Sequence, residues 1–188
     1  MPLLKVIVAS TRPGRMGRNI GDWFAQHAVE HGGFTVEIVD LAEVGLPFLD
    51  EPEHPATGIY RHQHSKDWSA TIGEADAFAF VMPEYNYAFS APLKNAIDFL
   101  YHEWRYKPVG FVSYGGMSGG LRAVQMMKQV VTTLRMVPAG DAVTIFTRRQ
   151  LDADGRLIVD DDLSASATGM LNELGRLTQA MSAMRSAV

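Results

Sequence analysis

Short, branched apolar runs return at regular intervals along this chain, separated by amphipathic stretches, and few folds accept that pattern. Leu3–Ala9 (LLKVIVA), Ala77–Met82 (AFAFVM) and Pro108–Ser113 (PVGFVS) are almost continuously apolar. Strands buried on both faces read this way, whereas a strand with one wet face alternates. Thr35–Asp40 (TVEIVD) alternates and reads as a further strand, and another lies within Ala139–Phe146. Between these runs the apolar spacing turns helical. Ile20, Trp23, Phe24, Ala28 and His31 predict a helix from Asn19 to His31, stopped by Gly32-Gly33. Further helices are predicted over Ser65–Glu74, over Ala91–His102 with Pro92 in the first turn, and over Gly120–Leu134. A C-terminal helix carries Ala167, Met170, Leu171, Leu174, Met181 and Met184 on one face. Residues 41–64, with Pro47, Pro52 and Pro55, read as a long irregular loop.

Strands interleaved with helices predict a parallel sheet covered on both faces. The expected architecture is a flavodoxin-like three-layer α/β/α domain over residues 1–188, with a five-stranded sheet in the order 2-1-3-4-5. In such sheets ligands sit beyond the carboxyl ends of the strands, at the switch point between strands 1 and 3. That rule directs attention to residues 10–19, 83–90 and 113–119.

Composition narrows the chemistry. The chain of 188 residues has no cysteine, which excludes disulfides, thiolate catalysis and cysteine-ligated metal clusters. A formal net charge of -4 gives no reason to expect nucleic acid or an anionic membrane surface as a partner. Leu3–Ala9 is short and carries Lys5, unlike a signal peptide, and no apolar run is long enough to span a bilayer. The expectation is a cytoplasmic protein.

The first loop, Ser10-Thr11-Arg12-Pro13-Gly14-Arg15-Met16-Gly17-Arg18-Asn19, joins a strand to a helix N-terminus. Exposed N–H groups and the helix dipole favour an anion there. Hydroxyls from Ser10 and Thr11 and guanidinium groups from Arg12, Arg15 and Arg18 suit phosphate oxygens. The glycines do not form G-x-G-x-x-G, and no G-x-x-x-x-G-K-[ST] is present, so a phosphate monoester fits better than a dinucleotide or a transferred phosphoryl group. The second loop, Pro83-Glu84-Tyr85-Asn86-Tyr87-Ala88-Phe89-Ser90, offers aromatic bodies with polar tips and one side-chain amide, suited to a flat heteroaromatic ring. The third, Ser113-Tyr114-Gly115-Gly116-Met117-Ser118-Gly119-Gly120, lets backbone approach a ligand closely and opens another helix.

Ser118 also sits in G-x-S-x-G, the nucleophile elbow of α/β-hydrolases. That fold places its histidine after the serine, whereas His27, His31, His54, His62, His64 and His102 all precede it. The spacing of His54, His62 and His64 is nonspecific for a metal, and no metal site is expected. Asp160-Asp161-Asp162 reads as acidic residues favouring a helix N-terminus.

Ser10-Thr11-Arg12-Pro13-Gly14-Arg15, Pro83-Glu84-Tyr85-Asn86, Leu93-Lys94-Asn95-Ala96-Ile97-Asp98 and Ser113-Tyr114-Gly115-Gly116 together resemble the NADPH-dependent FMN reductase family. Tyr101-His102-Glu103-Trp104 resembles its quinone-reductase and azoreductase-like members. The resemblance covers residues 3–150. It implies noncovalent FMN, NADPH or NADH as donor, a quinone, free flavin or similar acceptor, and a homodimer or homotetramer with flavin near the subunit contact. It places Ser10, Arg12, Arg18 and Asn19 at the phosphate, Pro83, Glu84, Tyr85 and Asn86 at the ring, and Tyr114, Gly115 and Gly116 at the pyrimidine side. Arg15-Met16-Gly17-Arg18 stands where some members have serines. The expected reaction is ping-pong hydride transfer through the flavin, with no side-chain acid or base; a non-catalytic FMN-binding electron carrier is the alternative.

Overall fold

The computed structural model describes residues 1–186. The apolar runs form the centre of one parallel sheet: β1 (Leu3–Val8), β3 (Ala77–Pro83) and β4 (Pro108–Gly115) are buried almost throughout. The alternating segment β2 (Thr35–Asp40) lies at one edge, where only its last two residues are fully buried. The order is β2-β1-β3-β4, with every pairing parallel.

The far edge departs from the five-strand expectation. Two segments, β5 (Val137–Pro138) and β6 (Val143–Phe146), pair with β4 one after the other, against Pro108-Val109 and then Val112–Gly115. Chemistry explains the break. Pro138 has no N–H to offer. The N–H groups of Gly140 and Asp141 donate to the Glu173 carboxylate, at 3.0 and 2.8 Å, rather than continuing a ladder.

Helices cover both faces. On one lie α1 (Gly17–His31) and α6 (Asp161–Ser186), packing Ile20, Phe24, Ala28, Met170 and Leu174 against the sheet. On the other lie α3 (Gln63–Gly73), α4 (Ala91–Asp98) and α5 (Leu121–Thr133), around Trp68, Trp104, Phe78, Phe80 and Phe111. These rings meet edge-on or tilted, as their quadrupoles favour; Trp68 and Trp104 have centroids 6.3 Å apart. No helix among the described residues is long and apolar enough to cross a membrane.

Residues 41–62 are more ordered than their prolines suggest. They begin with a four-residue helix, α2 (Leu41–Val44), and include a 3-10 turn at Pro55–Thr57. The Asn95 side chain accepts from the Leu49 N–H at 3.0 Å and donates to the Pro47 carbonyl at 2.7 Å. Glu51 accepts from the N–H groups of Arg61 and His62, at 2.8 and 2.9 Å, and so satisfies the start of α3. Similarly, α4 is shorter than expected: it ends at Asp98, and His102–Trp104 forms a separate 3-10 turn.

The end of α3 is closed by Lys107. Its buried ammonium donates to the carbonyls of Ile72 and Gly73, at 2.8 and 2.9 Å, at the negative pole of the helix. Burial, reinforced by the charge of Arg185, pushes Lys107 down to about 8. The unfolded chain holds this proton up to about pH 10.4. Between these values the unfolded state binds more protons, so Lys107 makes stability rise with pH, and its cost is fully present below pH 8. Lys107→Met is expected to remove that rise. Urea midpoints at a series of pH values from 7.5 to 10, compared between the two proteins, check it; parallel profiles would rule Lys107 out.

Candidate functional site

The carboxyl ends of β1, β3 and β4 deliver their loops to one rim, around a cavity of about 200 Å³. Ser10, Arg12 and Arg15 line it from the first loop, Pro83, Glu84 and Tyr85 from the second, and Tyr114 and Gly115 from the third. Thr147, just after β6, adds a wall that the sequence motifs did not indicate.

The first loop is braced by one buried carboxylate. Asp40, at the end of β2, accepts from Arg15 Nη2 at 2.7 Å, from Arg18 Nη1 at 3.5 Å and from the Ala42 N–H at 3.0 Å. Arg18 also pairs with Asp22 and Glu43, each at 2.8 Å. The three arginines therefore divide. Arg15 and Arg18 hold the fold, and Arg18, Asn19 and Thr11 do not line the cavity. Arg12 is exposed and makes no side-chain hydrogen bond or ion pair among the described residues. No side chain caps α1 and no acidic residue lies in its first turn, so its leading N–H groups are left without protein partners. Thr11 faces a second, mainly apolar cavity of about 350 Å³ between α2 and α4.

Two buried polar atoms at the cradle have no partner: Tyr114 Oη and Arg15 Nε. Such orphans are uncommon in folded proteins. Burial pushes the Tyr114 phenol up, which keeps it a donor. The Tyr114 hydroxyl lies so close beneath Gly17 that a Cβ there would stand 2.5 Å from it. Ser10, also buried, shares a hydrogen bond of 3.2 Å with the Tyr85 hydroxyl and so links the first and second loops.

The second loop turns back sharply. Tyr85 and Ala88 exchange backbone hydrogen bonds of 2.8 and 2.9 Å around Asn86 and Tyr87, both left-handed, at φ 49° and 74°. This is a type I′ turn, in which asparagine is at ease and tyrosine is strained. The Tyr87 ring is 65% exposed and carries the Arg122 guanidinium 4.1 Å above its centroid. Arg122 is itself held by Glu84, at 3.2 Å.

Glu84 does more than face the cavity. Its carboxylate accepts from the Ser118 hydroxyl and from the Arg122 N–H, so it fastens the second loop to the third and caps α5, which has no cap of its own. Ser118 also accepts from the Gly120 N–H at 3.3 Å. Ser113 donates to the Gly119 carbonyl at 2.8 Å, and Gly120, at φ 91°, passes too close to Ser113 for any side chain. Ser118 is thus a loop anchor paired with a carboxylate, and the histidines with hydrogen-bonded side chains find their partners elsewhere, as His27 does at Thr168 and His64 at Asp50. Gly116 lies outside the cavity lining, beside the side chains of Thr147 and Arg148.

Residues 2–150 match the family described as NADPH-dependent FMN reductase. The chain belongs to this family. It is 42% identical over 148 residues to an NAD(P)H-dependent FMN reductase of Schizosaccharomyces pombe, covering 77% of this chain and 74% of that protein. It is 35% identical over 137 residues to an NADPH:quinone oxidoreductase of Arabidopsis thaliana, covering 67% and 66%. The fold is similar to that of a flavoenzyme NAD(P)H:acceptor oxidoreductase from Paracoccus denitrificans, with a TM-score of 0.75 at 19% identity, covering 96% of this chain and 99% of that one. The family match takes in all three loops, Asp40 and Thr147, and stops before α6.

Removing the brace should loosen the first loop. Asp40→Ala leaves Arg15 to solvent, costs Arg18 one of its partners and uncaps Ala42. The expected loss is roughly 1.5–3 kcal/mol, the range for hydrogen bonds to charged groups. Urea denaturation measures it, and an unchanged midpoint would show that the buried carboxylate is not a brace.

Proposed function

We propose that this chain binds one FMN without a covalent bond in the rim cavity and uses NADPH or NADH to reduce a small acceptor, a quinone or free flavin. The observation that carries the reading is the unpaired Arg12 beside two buried orphan atoms, Tyr114 Oη and Arg15 Nε, at an uncapped helix start. A phosphate monoester satisfies all of these at once. The names of the S. pombe and Arabidopsis relatives supply the substrate class.

In this reading Arg12, Ser10 and the first N–H groups of α1 hold the phosphate. Arg15 contributes Nε while its other end stays on Asp40. Tyr114, held protonated by burial, donates from beneath. The Tyr85–Ala88 turn, kept rigid by its paired backbone bonds and by Glu84, presents Pro83, Tyr85 and Asn86 along the ring. Gly115 brings backbone close to the ring's polar edge, with Thr147 on the same wall. Bound there, FMN would supply the chemistry of hydride transfer between the nicotinamide and the second substrate, and the residues named above would position it. Phe48, which lines the apolar cavity, and the adjacent Leu49 are exposed apolar groups; a second copy of the chain covering them fits a homodimer.

Two measurements test this. Arg12→Ala should weaken FMN binding by about 10- to 100-fold, the equivalent of one charge-assisted contact, while Arg18→Ala should change it less than threefold. Quenching of flavin fluorescence gives both constants, and the reverse ranking would contradict the phosphate assignment. Initial rates with NADPH varied at several quinone concentrations should give parallel double-reciprocal lines; intersecting lines would demand a ternary complex.

A further inference from the structure

At the pole of the sheet opposite the flavin cradle, a cavity of about 450 Å³ opens where the chain enters β4 and α6 ends. Arg105, Lys107 and Arg185 line it, with His102 and Glu103. The charges there are unbalanced. Lys107 is 6% exposed and, like Arg105, has no carboxylate partner among the described residues. A buried cation without a counter-charge is costly unless something supplies one.

The nearby carboxylates are already committed. Glu103 accepts from the Tyr60 and Ser69 hydroxyls, at 2.9 and 2.6 Å, and from the Tyr101 N–H. Asp76 takes the Leu3 N–H at 2.9 Å and Arg185 Nη2 at 3.0 Å. Glu74 pairs with Lys5 at 3.1 Å. The cations keep unused donors. Lys107 spends two on the Ile72 and Gly73 carbonyls and has a third. Arg105 gives Nη1 to His102 Nδ1 at 3.3 Å, and its Nε is buried with no partner. His102 Nε2 lies 2.8 Å from the Ala56 carbonyl, so it donates there and Nδ1 accepts.

The segment is also held in an unusual shape. Tyr106 and Arg135 are both left-handed, at φ 57° and 60°. The Tyr106 N–H donates to the Arg135 carbonyl at 3.0 Å, and Arg135 Nη1 donates to the Tyr106 hydroxyl at 2.9 Å. Strain of this kind persists where the surroundings fix a site. Arg105 and Lys107 flank Tyr106 in the chain, and both line the cavity.

We propose that this cavity is a second anion site, distinct from the flavin cradle, which takes the phosphate group of a small molecule between Arg105 and Lys107, with Arg185 at its edge. A phosphate dianion supplies the missing counter-charge and accepts from the buried Arg105 Nε and the third Lys107 proton. A cavity of this volume has room for more than the bare ion, so a phosphomonoester fits as well as inorganic phosphate.

The test titrates inorganic phosphate and glycerol 3-phosphate, at constant ionic strength, into FMN-loaded protein by calorimetry. One saturable event per chain is expected for at least one of them, and the tighter ligand identifies the source. Arg105→Gln, which leaves the Lys107 cap in place, should weaken it at least tenfold. Arg12→Ala, at the other pole, should leave it unchanged, and this comparison separates the site from the flavin cradle even in protein without FMN. Absence of saturation with both ligands, wild-type affinity in Arg105→Gln, or loss of binding in Arg12→Ala would each overturn the proposal.

Discussion

A single buried carboxylate decides what the first loop can do. Asp40 ends β2 beside β1, and its two oxygens draw in Arg15, Arg18 and the start of α2. A buried charge is tolerated only when paired and hydrogen-bonded, and Asp40 meets both conditions with groups from different elements. The consequence for function is selection. With Arg18 turned away and Arg15 held at one end by Asp40, Arg12 is the cavity-lining guanidinium without an ion-pair partner among the described residues. A cradle whose Arg15 is already fixed by Asp40 leaves less to be ordered when a ligand arrives than three mobile arginines would.

Glu84 repeats this device between the second and third loops. It bridges Ser118, Arg122 and the start of α5, and Arg122 in turn covers the strained Tyr87. The rim is therefore built from loops cross-linked by charge-assisted hydrogen bonds and carried by a sheet whose central strands are buried. The opposite pole shows the contrast. There Lys107 and Arg105 have no ion-pair partner among the described residues, and Glu103 in the same lining is taken up by hydroxyl and N–H donors.

Much of this architecture is legible in the sequence because it rests on local pattern. The three continuous apolar runs become the central strands, and the parallel order follows from strands alternating with helices. The rim position of the three loops follows from that order. What the sequence hides depends on distant partners. Arg15 and Asp40 are 25 residues apart, and Glu84 and Ser118 are 34 apart, so nothing local tells a structural arginine from a ligand-binding one or an anchoring serine from a nucleophile. The split edge strand depends on Glu173, about thirty residues beyond it. Thr147 was missed because it belongs to no motif; its position just past the last strand, on the same rim, was the available signal.

The three loop tips are proposed to grip one phosphorylated isoalloxazine between them. The absorbance spectrum of the protein, purified and then incubated with FMN and desalted, tests it most directly. The expected result is a flavin spectrum at one FMN per chain, bleached by NADPH or NADH without oxygen. A protein that stays colourless after incubation with excess FMN would contradict it.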